Sequence, residues 1–138
     1  MPGSIVRPFI DTNVLIYLAS SHGAKADQAE EILKEGGTIS VQVLNEFASV
    51  ARRKLGMAWS ETQVFLSTFR ELLTVVPMTE EIHVAGLALA ERYQLGVYDG
   101  MIVAAALDAG CDGVFSEDMK HDLVVDGRLV IRNPFLGI

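Results

Sequence analysis

The sequence predicts an α/β fold with a small, mostly parallel central sheet of four or five strands. Short apolar runs typical of buried strands alternate with longer segments in which apolar residues recur at helical spacing. Glycine, proline and helix-capping residues separate the segments. The chain has 138 residues, half of them hydrophobic, which is the size expected of one domain with a substantial core.

The first half of the chain begins with a strand and continues mostly as helices. A buried apolar run ends at Ile10, and Asn13 can cap the short helix that follows. Two glycines after Glu35 stop a second, clearer helix, and Ser60 with Gln63 forms a capping-box pattern. The predicted elements are a strand at 7–10, helices at 14–19 and 24–35, a strand at 38–41, and helices at 43–55 and 60–73.

The second half alternates strands and helices more regularly. Pro77 terminates a strand at 74–76, and Thr79 can cap a helix that ends at residue 93. Asp99 lies in the first turn of the next helix, which ends near residue 109 and is apolar nearly all round, as expected of a buried helix. Strands at 113–116 and 129–131 complete the predicted sheet.

Four acidic residues occupy the junctions of these elements. Asp11 and Asp118 follow predicted strands, and ligands of parallel α/β sheets bind beyond the carboxyl ends of the strands. Glu46 and Asp99 lie on helices that can reach the same edge. Each acid alone could be a turn residue, a helix cap or a solvated side chain. Together, bordered by core residues, they suggest a site for a hard divalent cation.

The net charge of −7 argues by itself against a nucleic acid partner, because phosphates repel an acidic surface. If four of the 18 acidic residues belong to a metal site, 14 remain against 11 basic residues, a balance of −3 before any cation is bound. The overall charge then no longer decides the question. The only tight basic cluster is Arg52-Arg53-Lys54. Arg52 and Arg53 could be a solvated helix end that favours the helix dipole, or could contact phosphates beside the site.

Several segments resemble the PIN-domain family. They span almost the whole chain in order; the first, the one around Asp99 and the last are together specific, whereas Asn45-Glu46-Phe47 alone is weak. The size and the ending are most similar to the toxins of bacterial and archaeal VapBC toxin–antitoxin pairs. The matching segments are residues 9–17, 45–47, 98–106, 109–111, 116–119 and 133–135.

The resemblance implies a three-layer α/β/α domain over residues 1–138 that acts as a Mg²⁺- or Mn²⁺-dependent endoribonuclease. It also implies a cognate antitoxin and a homodimer. On the matching positions, the catalytic and metal-binding acids are Asp11, Glu46, Asp99 and Asp118, with Asn13 and Ser116 in support.

The chain departs from the family pattern in two places. Gly96-Val97-Tyr98 precede Asp99 where many relatives have a serine, and Asp122 stands where a glycine often follows the last block. Asp122 could add charge to the site or face solvent.

The chemistry of phosphodiester cleavage fits this set of residues. A divalent cation can activate water and relieve charge on the phosphoryl group, and carboxylates are its preferred ligands. We expect Asp11 and Asp99 to hold the principal ion, with Glu46 and Asp118 completing the site. Two alternatives remain: a non-catalytic PIN-fold module that binds RNA or protein, and a phosphatase with Asp11 as its nucleophile. The phosphatase usually requires a second acid at the position of Asn13.

Other features bound the environment of the protein. The single cysteine, Cys111, cannot form an internal disulfide, and no segment is long or apolar enough to span a bilayer. Asp11 and Asn13 interrupt the only run that resembles a signal peptide, so a cytoplasmic location is expected. Trp59 and the stripe Val64, Phe65, Phe69 and Leu72 could be core, an oligomer surface or a groove for an antitoxin helix.

Overall fold

A computed structural model describes residues 4–20 and 23–138. Strands and helices alternate through this part of the chain, with three places where one helix follows another without an intervening strand. The elements are β1 (Pro8–Ile10), α1 (Thr12–Ser20), α2 (Ala24–Glu35), β2 (Thr38–Ser40), α3 (Val41–Arg53), α4 (Trp59–Leu72), β3 (Thr74–Val76), α5 (Glu80–Tyr93), α6 (Val97–Asp108), β4 (Gly113–Phe115), β5 (Val124–Val125) and β6 (Leu129–Arg132).

The strands form one six-stranded sheet in the order β3-β2-β1-β4-β6-β5. All pairs are parallel except β5 with β6, so the predicted mostly parallel sheet is confirmed. The predicted count of four or five strands was too low because β5 has only two residues, too few to give a periodic pattern. Strands β1 and β4 are neighbours with Ile10 opposite Phe115, so the residues that follow them emerge at one edge.

Helix α6 is the central buried helix, as its apolar sequence predicts. Every residue from 100 to 106 is buried, and the helix packs against α5, β2 and β4. The close approach of α5 depends on two glycines, since a Cβ added to Gly100 would collide with the Gly86 carbonyl oxygen and one added to Gly86 would meet the Met101 sulfur. The tight α5–α6 crossing fixes the start of α6, where Asp99 lies.

Three predicted helix starts are wrong. Helix α1 begins at Thr12, so Asn13 lies inside its first turn and is not its cap. Helix α3 begins at Val41, because the Ser40 hydroxyl accepts a hydrogen bond from the Val43 N–H at 3.4 Å. Helix α4 begins at Trp59 and not at a Ser60 capping box, since the Ala58 N–H donates to Glu61 Oε1 at 3.3 Å. In contrast, Thr79 caps α5 as predicted, accepting from the Ile82 N–H at 3.1 Å.

The aromatic stripe of α4 divides between core and surface. Phe69 is fully buried and packs edge-on against Phe47, with ring centroids 4.9 Å apart. Trp59, Val64 and Leu72 are exposed. Among the described residues, no helix has the length and apolar character needed to cross a membrane.

Candidate functional site

Asp11 lies at the carboxyl end of β1, where the sheet holds its backbone. Its N–H donates to the Phe115 carbonyl at 3.0 Å, which ties the end of β1 to β4. The residue is only 6% exposed. Its carboxylate accepts hydrogen bonds from the Thr12 N–H and the Ser116 hydroxyl, both at 2.8 Å. Both carboxylate oxygens are therefore oriented by the chain before any ligand arrives.

Asn13 connects three parts of this edge. Its Nδ2 lies 3.1 Å from Asp11 Oδ2, 3.2 Å from Ser116 Oγ and 3.3 Å from Asp118 Oδ2. Its Oδ1 accepts from the Glu117 N–H at 3.0 Å. The amide of one side chain in α1 thus holds the loop after β4 in place, which a helix cap could not do.

The remaining two acids come from helices, as predicted. Glu46 is half-buried on α3, and its Oε1 accepts from the Thr12 hydroxyl at 2.8 Å. Asp99 is half-buried in the first turn of α6, near the positive end of the helix dipole. Asp118 is exposed, and its N–H donates to Ser116 Oγ at 3.3 Å.

The pKa values show that these carboxylates influence one another. Burial, with a smaller contribution from the charges of Asp99 and Glu46, raises the pKa of Asp11 to about 6 against the opposing effect of its hydrogen bonds. Burial also raises the pKa of Asp99, followed by repulsion from Asp118 and Glu46. The cluster is therefore electrostatically strained when all its members are charged, which a bound cation would relieve.

All four acids line one cavity of about 440 Å³, called here the acidic cavity. Thr12, Asn13, Tyr17 and Glu117 contribute further walls, and among the described lining residues Lys54 is the only one with a positive charge. The structure thus brings together Asp11, Glu46, Asp99 and Asp118, with Asn13 in the wall and Ser116 hydrogen-bonded behind it.

Arg52 and Arg53 lie outside the acidic cavity. Arg52 donates from Nη1 to the Met57 carbonyl, and its guanidinium carbon lies 4.5 Å from the centre of the Trp59 ring. Arg53 donates from Nε to Ser49 Oγ at 3.0 Å. Their contact with substrate stays a prediction. In the structure, the Arg52 side chain packs instead against the start of α4.

Sequence reasoning missed Lys54, although a signal was present. Glu46, Val50 and Lys54 are spaced four residues apart along α3, and all three line the acidic cavity.

Asp122 lies away from the cavity. It is exposed and forms an ion pair with Arg132, whose Nε lies 2.7 Å from Asp122 Oδ1. The geometry of this contact is not that of a hydrogen bond, so the Nε–H of Arg132 has no hydrogen-bond acceptor among the described residues.

A second missed group fixes the loop that carries Asp118. Glu117 accepts from the Tyr17 hydroxyl at 2.6 Å and pairs with Lys25 Nζ at 2.7 Å. The Tyr17 ring packs edge-on against Phe135, with centroids 4.9 Å apart. This group joins α1, α2 and the loop after β4 on one wall of the cavity. The hydrogen bond to Glu117 raises the pKa of Tyr17.

The donor chemistry of the cavity suits magnesium or manganese. All four acids offer oxygen atoms, which these hard cations prefer. Within residues 4–20 and 23–138, no three His, Cys, Asp or Glu side chains stand close enough to chelate one ion together. This agrees with the usual binding of Mg²⁺, which takes one or two carboxylates and keeps several waters.

These observations define a class of protein: an α/β domain with an acidic cavity at the carboxyl edge of a mostly parallel sheet. The model of the PIN domain matches residues 9–125, and the chain belongs to this family. The PIN-like α/β fold predicted from the sequence is therefore confirmed. None of the curated protein sequences matches the chain significantly.

Solved structures share the fold at low sequence identity. A chain of a toxin–antitoxin complex from Klebsiella pneumoniae aligns with a TM-score of 0.70 and 22% identity, covering 93% of this chain and 98% of its own. VapC20 of Mycobacterium tuberculosis, a toxin that cleaves the sarcin–ricin loop, aligns with a TM-score of 0.66 and 17% identity over 80% and 89% of the two chains. VapBC2 of Rickettsia felis, bound to a promoter DNA fragment, aligns with a TM-score of 0.66 and 20% identity over 93% and 98%.

Proposed function

We propose that this protein is a Mg²⁺- or Mn²⁺-dependent endoribonuclease that hydrolyses RNA phosphodiester bonds. The observation that carries the proposal is the convergence of Asp11, Glu46, Asp99 and Asp118 on one cavity. Membership of the PIN family and the structural likeness to VapC20, a ribonucleolytic toxin, support the same reaction class.

Asp11 and Asp99 would hold the cation. Asp11 suits this role because the Thr12 N–H and the Ser116 hydroxyl fix its carboxylate, which limits the loss of side-chain freedom on binding. When bound, the ion supplies Lewis-acid polarisation of the phosphate and lowers the pKa of water. Asp99 would supply the second carboxylate for the cation from the first turn of α6.

Glu46 and Asp118 would orient the attacking water and accept its proton. Thr12 fixes one oxygen of Glu46, and Asn13 fixes one oxygen of Asp118 at 3.3 Å. A carboxylate held within hydrogen-bonding reach of a water molecule can serve as its general base. Attack by water would form a new P–O bond and break the P–O3′ bond, which leaves a 5′-phosphate and a 3′-hydroxyl, and it would not require the 2′-hydroxyl of the RNA.

Lys54 is the best placed side chain for a non-reacting phosphate. It lines the acidic cavity at the end of α3, two helical turns beyond Glu46. A cation there offsets the repulsion between the acids and an approaching RNA strand. The predicted contacts from Arg52 and Arg53 would lie farther along the strand.

We further propose that the protein is the toxin of a type II toxin–antitoxin pair and acts in the cytoplasm as a homodimer. The supporting observation is that the similar structures from Klebsiella pneumoniae and Rickettsia felis are toxin–antitoxin complexes. A small antitoxin that covers the acidic cavity would then hold the activity in check.

The test is sequencing of RNA 5′ ends after incubation with the wild type and with Asp99→Asn, with Mg²⁺ or EDTA. Asp108→Asn is the matched control, because Asp108 is an exposed carboxylate at the other end of α6. We expect discrete 5′-phosphate ends from the wild type and the control with Mg²⁺, and none from Asp99→Asn. Equal patterns from all three proteins would refute the mechanism and favour a non-catalytic RNA- or protein-binding module.

A further inference from the structure

A second cavity adjoins the acidic cavity and has no part in the proposed chemistry. This side groove, of about 410 Å³, is lined by Gln42, Asn45, Ser49, Met78 and Tyr98, and it meets the acidic cavity at Glu46. Asn45 and Tyr98 each stand next to a proposed catalytic acid in the sequence. Asn45 and Tyr98 line the groove and not the acidic cavity, whereas Glu46 and Asp99 line the acidic cavity.

Helix α3 separates the two cavities with two adjacent rows of side chains. Gln42, Asn45 and Ser49 follow a spacing of three and four residues and line the groove. Glu46, Val50 and Lys54 follow a spacing of four and line the acidic cavity. Since Glu46 belongs to both cavities, the groove begins directly beside the acids that would act on the scissile phosphate.

Tyr98 provides an open aromatic surface at this point. Its side chain is among the most exposed large hydrophobic groups, with a residue exposure of 69%. The backbone beneath it is anchored, because Gln42 Nε2 donates to the Tyr98 carbonyl at 3.3 Å. Tyr98 thus combines an anchored backbone with a largely exposed ring beside the groove that it lines.

The charge of the groove selects against a phosphate and for a base. Among the described residues that line it, none is positively charged, and Glu46 at its border is an acid. The other lining groups are two side-chain amides, the Ser49 hydroxyl, the Met78 thioether, the Val41 side chain and the Tyr98 ring. Aromatic rings stack on unpaired bases, and amides and hydroxyls read the hydrogen-bonding edges of those bases.

We propose that the side groove binds one unpaired nucleobase beside the scissile phosphate, with Tyr98 stacking on the base and Asn45 contacting its edge. This inference rests on the proposed ribonuclease function and adds a site that selects the nucleotide next to the cut. It predicts cleavage in single-stranded or looped RNA, since a paired base cannot enter.

The experiment uses the full chain with Mg²⁺ and a pool of randomised single-stranded RNA. The variants are Tyr98→Ala, Tyr98→Phe and Asn45→Ala. Trp59→Ala is the matched control, because it removes another exposed ring that lines neither cavity. The measurements are kcat and KM on one short RNA, the base distribution around sequenced cut sites, and photocrosslinking of RNA that contains 5-iodouridine.

We expect Tyr98→Ala to lower kcat/KM by about 5- to 100-fold, mainly through KM, as for the loss of one stacked base. The kcat/KM of Tyr98→Phe and of Trp59→Ala should stay within about twofold of the wild-type value, since both variants keep an aromatic ring at position 98. Tyr98→Ala and Asn45→Ala should alter base preference at the same nucleotide position, and the crosslink should map to Tyr98.

The possible failures are distinguishable. If the wild type cuts RNA and Asp99→Asn does not, while Tyr98→Ala and Asn45→Ala keep the wild-type KM and base preference, the groove proposal is wrong and the nuclease proposal stands. If Tyr98→Ala changes only the sedimentation of the protein, the groove binds a second copy and the base-binding proposal is wrong. If the wild type does not cut, the proposed function fails, and the groove proposal fails with it.

Discussion

The ionisation of Asp11 should oppose folding of the metal-free protein, and this effect can be isolated by a single substitution. Burial, followed by the charges of Asp99 and Glu46, raises its pKa from the ordinary value of 3.8 to about 6. At about 1.4 kcal/mol for each pKa unit, the difference corresponds to about 3 kcal/mol. The side chain is nearly inaccessible to water, so solvent screening reduces this value little.

The direction of the effect follows from proton binding. Between about pH 4 and about pH 6, the folded chain keeps the Asp11 proton and the unfolded chain has lost it. Stability therefore falls as pH rises through this window. Above it, Asp11 is ionised in both states and its contribution no longer changes. Asp11 thus lowers the free energy of unfolding at neutral pH by about 3 kcal/mol relative to acid.

Asp11→Asn removes this titration. The substitution also replaces a carboxylate oxygen, which accepts hydrogen bonds from Ser116 and Asn13, with an amide NH₂ group, which cannot accept them. That loss does not vary between about pH 4 and about pH 7, so it shifts the stability of the variant by a constant amount. The change with pH in the difference between the two proteins therefore reports the titration of Asp11 together with its coupling to Asp99 and Glu46.

The assay is urea denaturation in EDTA at a series of pH values from about 4 to about 7.5, with the free energy of unfolding taken from each curve. We expect the difference between Asp11→Asn and the wild type to move by about 3 kcal/mol in favour of the variant as pH rises. Asp108→Asn, an exposed carboxylate outside the cavity, should show no such movement. A difference that stays flat across the series would refute the reasoning that the empty site is electrostatically strained.

Three further predictions concern the network, the substrate and the fold. Asn13→Ala should reduce metal affinity or kcat by about 10- to 100-fold, because three side chains of the site lose a common partner; Mn²⁺ titration and steady-state kinetics measure it, and a wild-type result would exclude a positioning role. Lys54→Ala should raise the Kd for RNA and reduce the dependence of log Kd on log salt by about 0.7, with Lys54→Arg largely retaining both; an unchanged slope would place Lys54 away from phosphate. Gly100→Ala should destabilise the fold by about 1–3 kcal/mol, because its methyl group meets the Gly86 carbonyl, and urea denaturation would contradict this if the midpoint did not move.

Much of the fold was predictable because its determinants are local. Thr79 and the ends of α2 and α5 were placed correctly, since a cap and a glycine act on their own turn. Helix α4 was misplaced because Ser60 and Gln63 match the capping pattern, while the actual contact joins Ala58 and Glu61, two residues earlier in the sequence. Strand β5 was missed because it has only two residues and pairs only with β6, and two residues are too few to show the period of a strand.

The sequence by itself determined which acids stand at the ends of strands and at the start of α6, because apolar periodicity fixes where each element stops. From that, the α/β class and a shared edge for Asp11 and Asp118 could be predicted. Only the tertiary structure decided that Lys54 and not Arg52 faces the acids, that Asn13 links Asp11 to Asp118, and that Tyr98 opens a groove beside Glu46. These facts depend on the rotation of α1, α3 and α6 about their axes, which packing between distant segments sets and local sequence does not.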